Sequence, residues 1–171
     1  MTALIRIDRS WTPAGGGRPK PIRFCSRCGH PEEEPPGRPE LRKRVCGQCG
    51  MGIVLSCPRD ALPGEAAAFL ILDWQLRVCA VSEAGERYFG SQEGLIGMHL
   101  LDVVTSPLGD DQLCRNAEVA SQRPADPVVM PVRLLRRAGV ASVGTMAGRI
   151  ATCGPPRAAL LTVEPSEFGR R

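Results

Sequence analysis

Two cysteine pairs set the strictest limit on what this chain can fold into. They lie in FCSRCGH at 24–30 and VCGQCGM at 45–51, so C-x2-C recurs after a gap of 17 residues, close to the spacing of zinc sites. Two intervening residues allow a tight turn that aims both thiolates at one ion, with Zn–S bonds of about 2.3 Å. Gly29 and Gly50 each follow the second cysteine of a pair, where a positive φ lets the chain turn away while its amides face the sulfurs. The spacing therefore predicts a structural Zn²⁺ site with Cys25, Cys28, Cys46 and Cys49 as ligands.

Four thiolates around Zn²⁺ leave a net charge of about −2, which Arg27, Arg42, Lys43 and Arg44 can partly offset through space. A fragment this small buries too little apolar surface to fold alone, so metal binding is expected to supply most of its stability. Four cysteines close the coordination sphere and leave no position for a catalytic water. A redox reading of one C-x2-C pair needs a βαβ context that the pattern lacks. His30 and Cys57 are the alternative ligands within reach in sequence. Cys79, Cys114 and Cys153 fall in predicted strands or a helix, where a free cysteine serves as a small buried apolar residue.

The chain carries eight cysteines. Its opening, MTALIRIDRSWTP, meets charge at Arg6 and Asp8 before any apolar stretch reaches leader length. The cysteines are thus expected as thiols and metal ligands rather than disulfides, in a cytoplasmic protein. No run approaches the ~18 to 20 apolar residues of a membrane span, so no membrane partner is expected. Charge is uneven: residues 1–60 carry 11 basic against 6 acidic side chains, a balance of +5, and residues 61–171 carry 11 against 12, a balance of −1. Aromatic residues make up only 4% of the chain, so any ligand pocket should be aliphatic.

The length of 171 residues suits one ordinary domain plus a small module. Residues 1–21, with Gly15-Gly16-Gly17 and three prolines, predict a flexible arm. The cysteine module follows at 22–60, and its Glu- and Pro-rich stretch Pro31 to Pro39 reads as a loop. A linker at 61–66 leads to a regular domain at 67–166, and 167–171 form a tail. In that domain Phe69 to Asp73 and Leu76 to Ser82 are β-prone and joined at Trp74-Gln75, which reads as a hairpin. Ser82 is the expected N-cap for a helix from Glu83 to Phe89, and Ser91 for a turn through Leu95-Ile96. Asp110 opens a helix with Leu113, Ala117 and Ala120 on one face, ended by Pro124. Three strands close the pattern at Val128 to Arg136, Val140 to Cys153 and Ala158 to Glu164.

Both parts resemble known families. Residues 23–57 are similar to zinc ribbons, in which two CxxCG knuckles sit at hairpin tips; Val45-Cys46 and Ile53 to Ser56 would be the second hairpin's strands. The stretch AFLILDWQLRVCAVSEAGERYFGSQEGLIGMHLLDVV at 68–104 resembles the opening of a PAS domain, and the order of elements continues to Pro165. Its marks are the strand end Ile71-Leu72-Asp73, the helix closing in Phe89-Gly90, and Leu95-Ile96-Gly97. Ser82 stands where PAS sequences commonly carry Asn, which keeps a capping oxygen. The resemblance implies an α+β fold, a PAS-like five-stranded antiparallel sheet with helices on one side. It also implies an edge position for the strand containing Pro131, where a residue without an N–H is tolerated.

What the resemblance implies for function is a small cofactor or metabolite held between sheet and helices, or contact with another protein. Flavin photochemistry would need an Asn-Cys-Arg motif where this chain reads Met98-His99-Leu100, and Cys114-Arg115-Asn116 lies too far along, in the predicted helix. His99, the domain's one histidine, sits too early for the family's haem ligand and is expected to be an ordinary residue. No phosphate loop, paired carboxylates with a histidine partner, or Ser-His-Asp arrangement emerges. The expectation is a non-enzymatic regulatory or signalling protein with a structural zinc ribbon, a protein partner, and a PAS ligand that the sequence does not name. The alternative is a nucleic-acid-binding regulator that sets Arg38, Arg42, Lys43 and Arg44 against phosphates, although no aromatic residues interleave them to stack on bases.

Overall fold

The computed structural model describes residues 20–32, 44–64, 66–135 and 144–165. Apolar side chains in this chain fall into two strand patterns, and each builds its own antiparallel sheet. In the first, β1 (Ile22–Cys25) lies between β2 (Pro31–Glu32) and β3 (Val54–Cys57). Strand β2 corrects the expected loop from Pro31 to Pro39: Phe24 pairs with Pro31 and Arg23 with Glu32. Proline is tolerated at the first position of an edge strand because no ladder hydrogen bond is required of its nitrogen. Val45 bridges Ile53, so the second cysteine pair also sits in a hairpin.

The larger sheet contains β4 (Ala68–Leu72), β5 (Val78–Val81), β6 (Val104–Thr105), β7 (Val128–Leu134), β8 (Met146–Cys153) and β9 (Ala158–Pro165), in the order β5-β4-β9-β8-β7-β6. Helices α1 (Glu86–Phe89), α2 (Gln92–Leu95) and α3 (Asp110–Gln122) intervene between its strands. This is an α+β, PAS-like architecture, with one strand more than the five expected. The extra strand, β6, is two residues long and pairs Val104 with Leu134 and Thr105 with Arg133. Pro131 lies beyond that short pairing and faces Ala147 of β8 in register. Its carbonyl accepts from Ser106 Oγ at 2.8 Å on the outer side of β7. The strand is therefore not the edge strand expected, since β6 lies outside it; a strand residue's N and C=O point the same way, so the missing N–H is on the side where the β6 ladder has already ended.

Other boundaries shift for local reasons. The first helix opens at Glu86 rather than Glu83, after a turn that Ser82 holds: its Oγ accepts from Phe69 N and Gly85 N and donates to Ala67 O, each at 2.9 Å, and its carbonyl accepts from Glu86 N at 3.1 Å. In the β4–β5 hairpin, Asp73 Oδ1 accepts from the amides of Gln75 and Arg77, and Leu76 takes a positive φ of 58°. Strand β8 begins at Met146; of the upstream part expected from Val140, Gly144 and Thr145 are not strand and 140–143 lie outside the described residues. The flexible arm expected at 1–21 is described only for Lys20 and Pro21, and the tail at 167–171 not at all.

Both faces of the large sheet are covered. All five residues of β4 are buried, the signature of a strand with apolar neighbours on each side. Toward the helices, Leu70, Leu72, Ile150 and Leu161 meet Leu113 and Ala117 of α3. Away from them, Phe69, Ile71, Cys153 and Leu160 meet Phe24, Leu55 and Cys57 of the small sheet. The Phe24 and Phe69 rings contact edge to face at 5.9 Å and 77°. Ser56 and Gly154 exchange two backbone hydrogen bonds of 2.6 and 3.0 Å, which ties β3 to the end of β8. Arg149 reaches back to the Asp60 carbonyl at 2.9 Å. Fully burying a large apolar side chain contributes about 1.5–3 kcal/mol, so this second layer is a substantial interface.

Candidate metal centre

The small sheet positions its cysteines by two similar turns. Gly29 N donates to Cys25 O at 3.0 Å and Gly50 N to Cys46 O at 3.1 Å, with φ of 73° and 70° at the two glycines. In the first knuckle the amides of Arg27 and Cys28 face Cys25 Sγ at 3.3 and 3.4 Å. In the second, Gln48 N faces Cys46 Sγ at 3.3 Å and Gly52 N faces Cys49 Sγ at 3.4 Å. Amides aimed at sulfur favour the thiolate over the thiol. Gly52 is also required sterically: a Cβ there would collide with Cys25 Sγ and would lie 2.9 Å from Arg27 N.

These turns bring together the four cysteines singled out by their spacing. Cys25 Sγ lies 3.6 Å from Cys49 Sγ, Cys28 Sγ lies 3.8 Å from Cys46 Sγ, and all four sulfurs fall within 4.8 Å of one another. Burial pushes the Cys25 thiol up to about 12 and raises Cys28, while amide hydrogen bonds from Met51 and Gly52 draw Cys49 down to about 6. Four negative charges cannot crowd into this space without a cation. The set can hold a metal ion, to which it offers four sulfur donors.

The alternative ligands are placed elsewhere. Among the described residues, neither His30 nor Cys57 joins the ligand cluster. His30 serves the first knuckle through its carbonyl, which accepts from Cys25 N. Cys57 lies under the small sheet against the large one, and burial pushes its thiol up to about 12. Cys153 is buried beside it and likewise raised by burial. Cys114 is half-buried on α3, whereas Cys79, expected to be buried, is exposed.

Two further sequence readings are refined here. Arg27, read as a through-space counter-charge to the thiolates, directs its guanidinium to Glu86 of α1 and also interacts through space with Cys49. It lies between Cys25 and Cys28 in sequence, and only tertiary packing brings Glu86 within its reach. Of the basic stretch at 38–44, Arg38, Arg42 and Lys43 lie outside the described residues, and Arg44 is exposed. His99 caps a short turn, its Nδ1 accepting from Leu101 N at 3.2 Å. None of the described helices is long and apolar enough to cross a membrane.

No protein-family model and no curated protein matches the chain. Among solved structures it is similar to the PAS domain of the RpfR quorum-sensing receptor of Cronobacter turicensis in complex with BDSF, with a TM-score of 0.47 and 13% identity over 61% of this chain and 97% of that one. The same domain in complex with C12:0 gives 0.46 and 13% over the same shares. The PAS domain of nitrogen regulation protein NR(II) from Vibrio parahaemolyticus gives 0.45 and 16% over 64% of this chain and 97% of that one.

Proposed function

We propose that this chain is a non-enzymatic regulatory module, in which a PAS-like sensory or interaction domain carries a structural zinc ribbon as a fixed cap on its sheet. The observation that carries the reading is the four-sulfur cluster on the element packed against the sheet's outer face. A regular tetrahedron with Zn–S bonds of about 2.3 Å has sulfur–sulfur edges of about 3.8 Å, and two of the pairs here are 3.6 and 3.8 Å. All-thiolate donors suit a soft or borderline ion such as zinc and leave no open position for catalysis. Cys25, Cys28, Cys46 and Cys49 would hold the ion, whose chemistry there is to fix the two knuckles.

On this reading the domain's work is done by its large sheet. The helix-side interior is lined by Leu, Val, Ile, Met and Phe, so a small molecule held there would be recognised by apolar shape. A partner protein would meet surfaces that the cap leaves free, and the ribbon itself would be a rigid contact element. Elemental analysis of freshly purified full-length chain should find one zinc per chain, freed only when four thiols are blocked. Protein without metal would overturn the zinc assignment. Native mass spectrometry of the same sample would reveal an apolar molecule that travels with the domain.

A further inference from the structure

Arg27 touches both the sulfur cluster and the helical segment. Its amide faces Cys25 Sγ at 3.3 Å. Its carbonyl accepts from Glu83 N at 2.8 Å, in the turn that leads into α1. Its guanidinium grips Glu86 with two bonds, Nη1 to Oε1 at 3.1 Å and Nη2 to Oε2 at 3.2 Å. Paired N–H···O contacts of this kind fix orientation as well as distance. Glu86 Oε1 in turn accepts from Gln92 N at 2.9 Å, the first amide of α2.

Helices α1 and α2 are four residues each and have no side-chain hydrogen bond at their N-caps. Such short helices do not hold themselves together. They anchor Phe89 and Leu95, both buried in the interior on the helix side of the large sheet. On the other side of Arg27, the second knuckle closes on it, because Gly52 sits against both Cys25 Sγ and the Arg27 side chain. A continuous set of contacts therefore runs from the cysteines to the segment that lines the interior.

We propose that Arg27 is a positioning residue that couples occupancy of the four-cysteine site to the order of the α1–α2 segment. The inference rests on the metal reading above and extends it from a structural site to a regulatory one. An ion held by all four sulfurs fixes the first knuckle and presents Arg27 to Glu83 and Glu86. Removal of the ion frees the knuckle, and the helical segment loses its external clasp. Coupling of this kind is reciprocal, so whatever rearranges α1 and α2 from inside the domain alters metal affinity by the same factor, typically about 5- to 150-fold.

The test uses full-length protein as wild type, Arg27→Gln and Glu86→Gln, with zinc content measured in each. Amide exchange over residues 83–96 is followed with zinc bound and after chelation, and zinc affinity by competition with a chromophoric chelator. In wild type, chelation should speed exchange there by about tenfold, within the usual range for such coupling. In both variants exchange should be fast with zinc still bound, chelation should add little, and zinc should bind at least about fivefold more weakly. Should Arg27→Gln fail to fold, Glu86→Gln cuts the same contact from the helix side, away from the cysteines. A metal-dependent change that persists undiminished in the variants overturns the coupling, as does its absence from zinc-loaded wild type. A chain that takes up no zinc fails earlier, at the elemental analysis, and removes the metal reading along with this one.

Discussion

Every residue of Ala68–Leu72 in the large sheet is buried, whereas in Ile22–Cys25 of the small sheet only Phe24 and Cys25 are. The large sheet holds its strands by apolar contact on both faces. The small sheet has one apolar face, spent on its neighbour, and on its other side a cluster of four sulfurs. The difference shows two routes to order within a single chain: carbon surface where there are enough residues to enclose it, and convergence of donor atoms where there are not.

The largest effect should come from breaking the second route. Cys46→Ser leaves three thiolates, and structural zinc in small modules contributes on the order of 10 kcal/mol of apparent binding free energy. Metal content should collapse, residues 22–57 should become open to protease, and a dye that binds apolar surface should light up as Phe69 and Leu160 lose their cover. The far-UV circular dichroism of the large sheet should persist. A variant that keeps stoichiometric metal, or one that unfolds throughout, would show that the two sheets are not stabilised in these separate ways.

The opposite perturbation belongs in the large sheet. Leu161 of β9 is 1% exposed on the helix side, and Leu161→Ala should cost about 2–5 kcal/mol through lost contact and the cavity left behind. Denaturant unfolding should shift by that amount while the metal-to-chain ratio stays unchanged. If the truncation also strips the metal under native conditions, the small sheet has no independent hold on its cysteines.

The same contrast explains what could be read from the chain alone. The cysteine spacing and the glycines after Cys28 and Cys49 report on local chemistry, and they lead to the cluster directly. Helix α3 is equally local in origin, since its Leu113, Ala117 and Ala120 recur at helical period. Pro131 marks a gap in the ladder because a missing donor is a local fact, but β6, which lies outside its strand, was not legible. What resisted reading was long-range. Pro31–Glu32 becomes a strand only because β1 offers a partner, and β6 exists only where β7 passes Val104 and Thr105. The stacking of the small sheet on the large one carried one signal, the alternation Ile22, Phe24 and Leu55, Cys57, which gives the module an apolar face of its own. Arg27 carried none, since its partner is 59 residues away in sequence.

The smallest effect is the most informative about the seam between the two regions. Phe24 and Phe69 meet edge to face, an arrangement worth about 0.5–1.5 kcal/mol beyond the area it buries. Phe24→Leu and Phe69→Leu keep most of the apolar bulk, so a double-mutant cycle on unfolding free energy isolates the ring contact. The coupling should fall in that range in metal-loaded protein and shrink toward zero in the Cys46→Ser background, where the ring of Phe24 is no longer held against the sheet. Equal coupling in both backgrounds would mean that apolar contact alone seats the small sheet, and that the sulfur cluster holds only its own two turns.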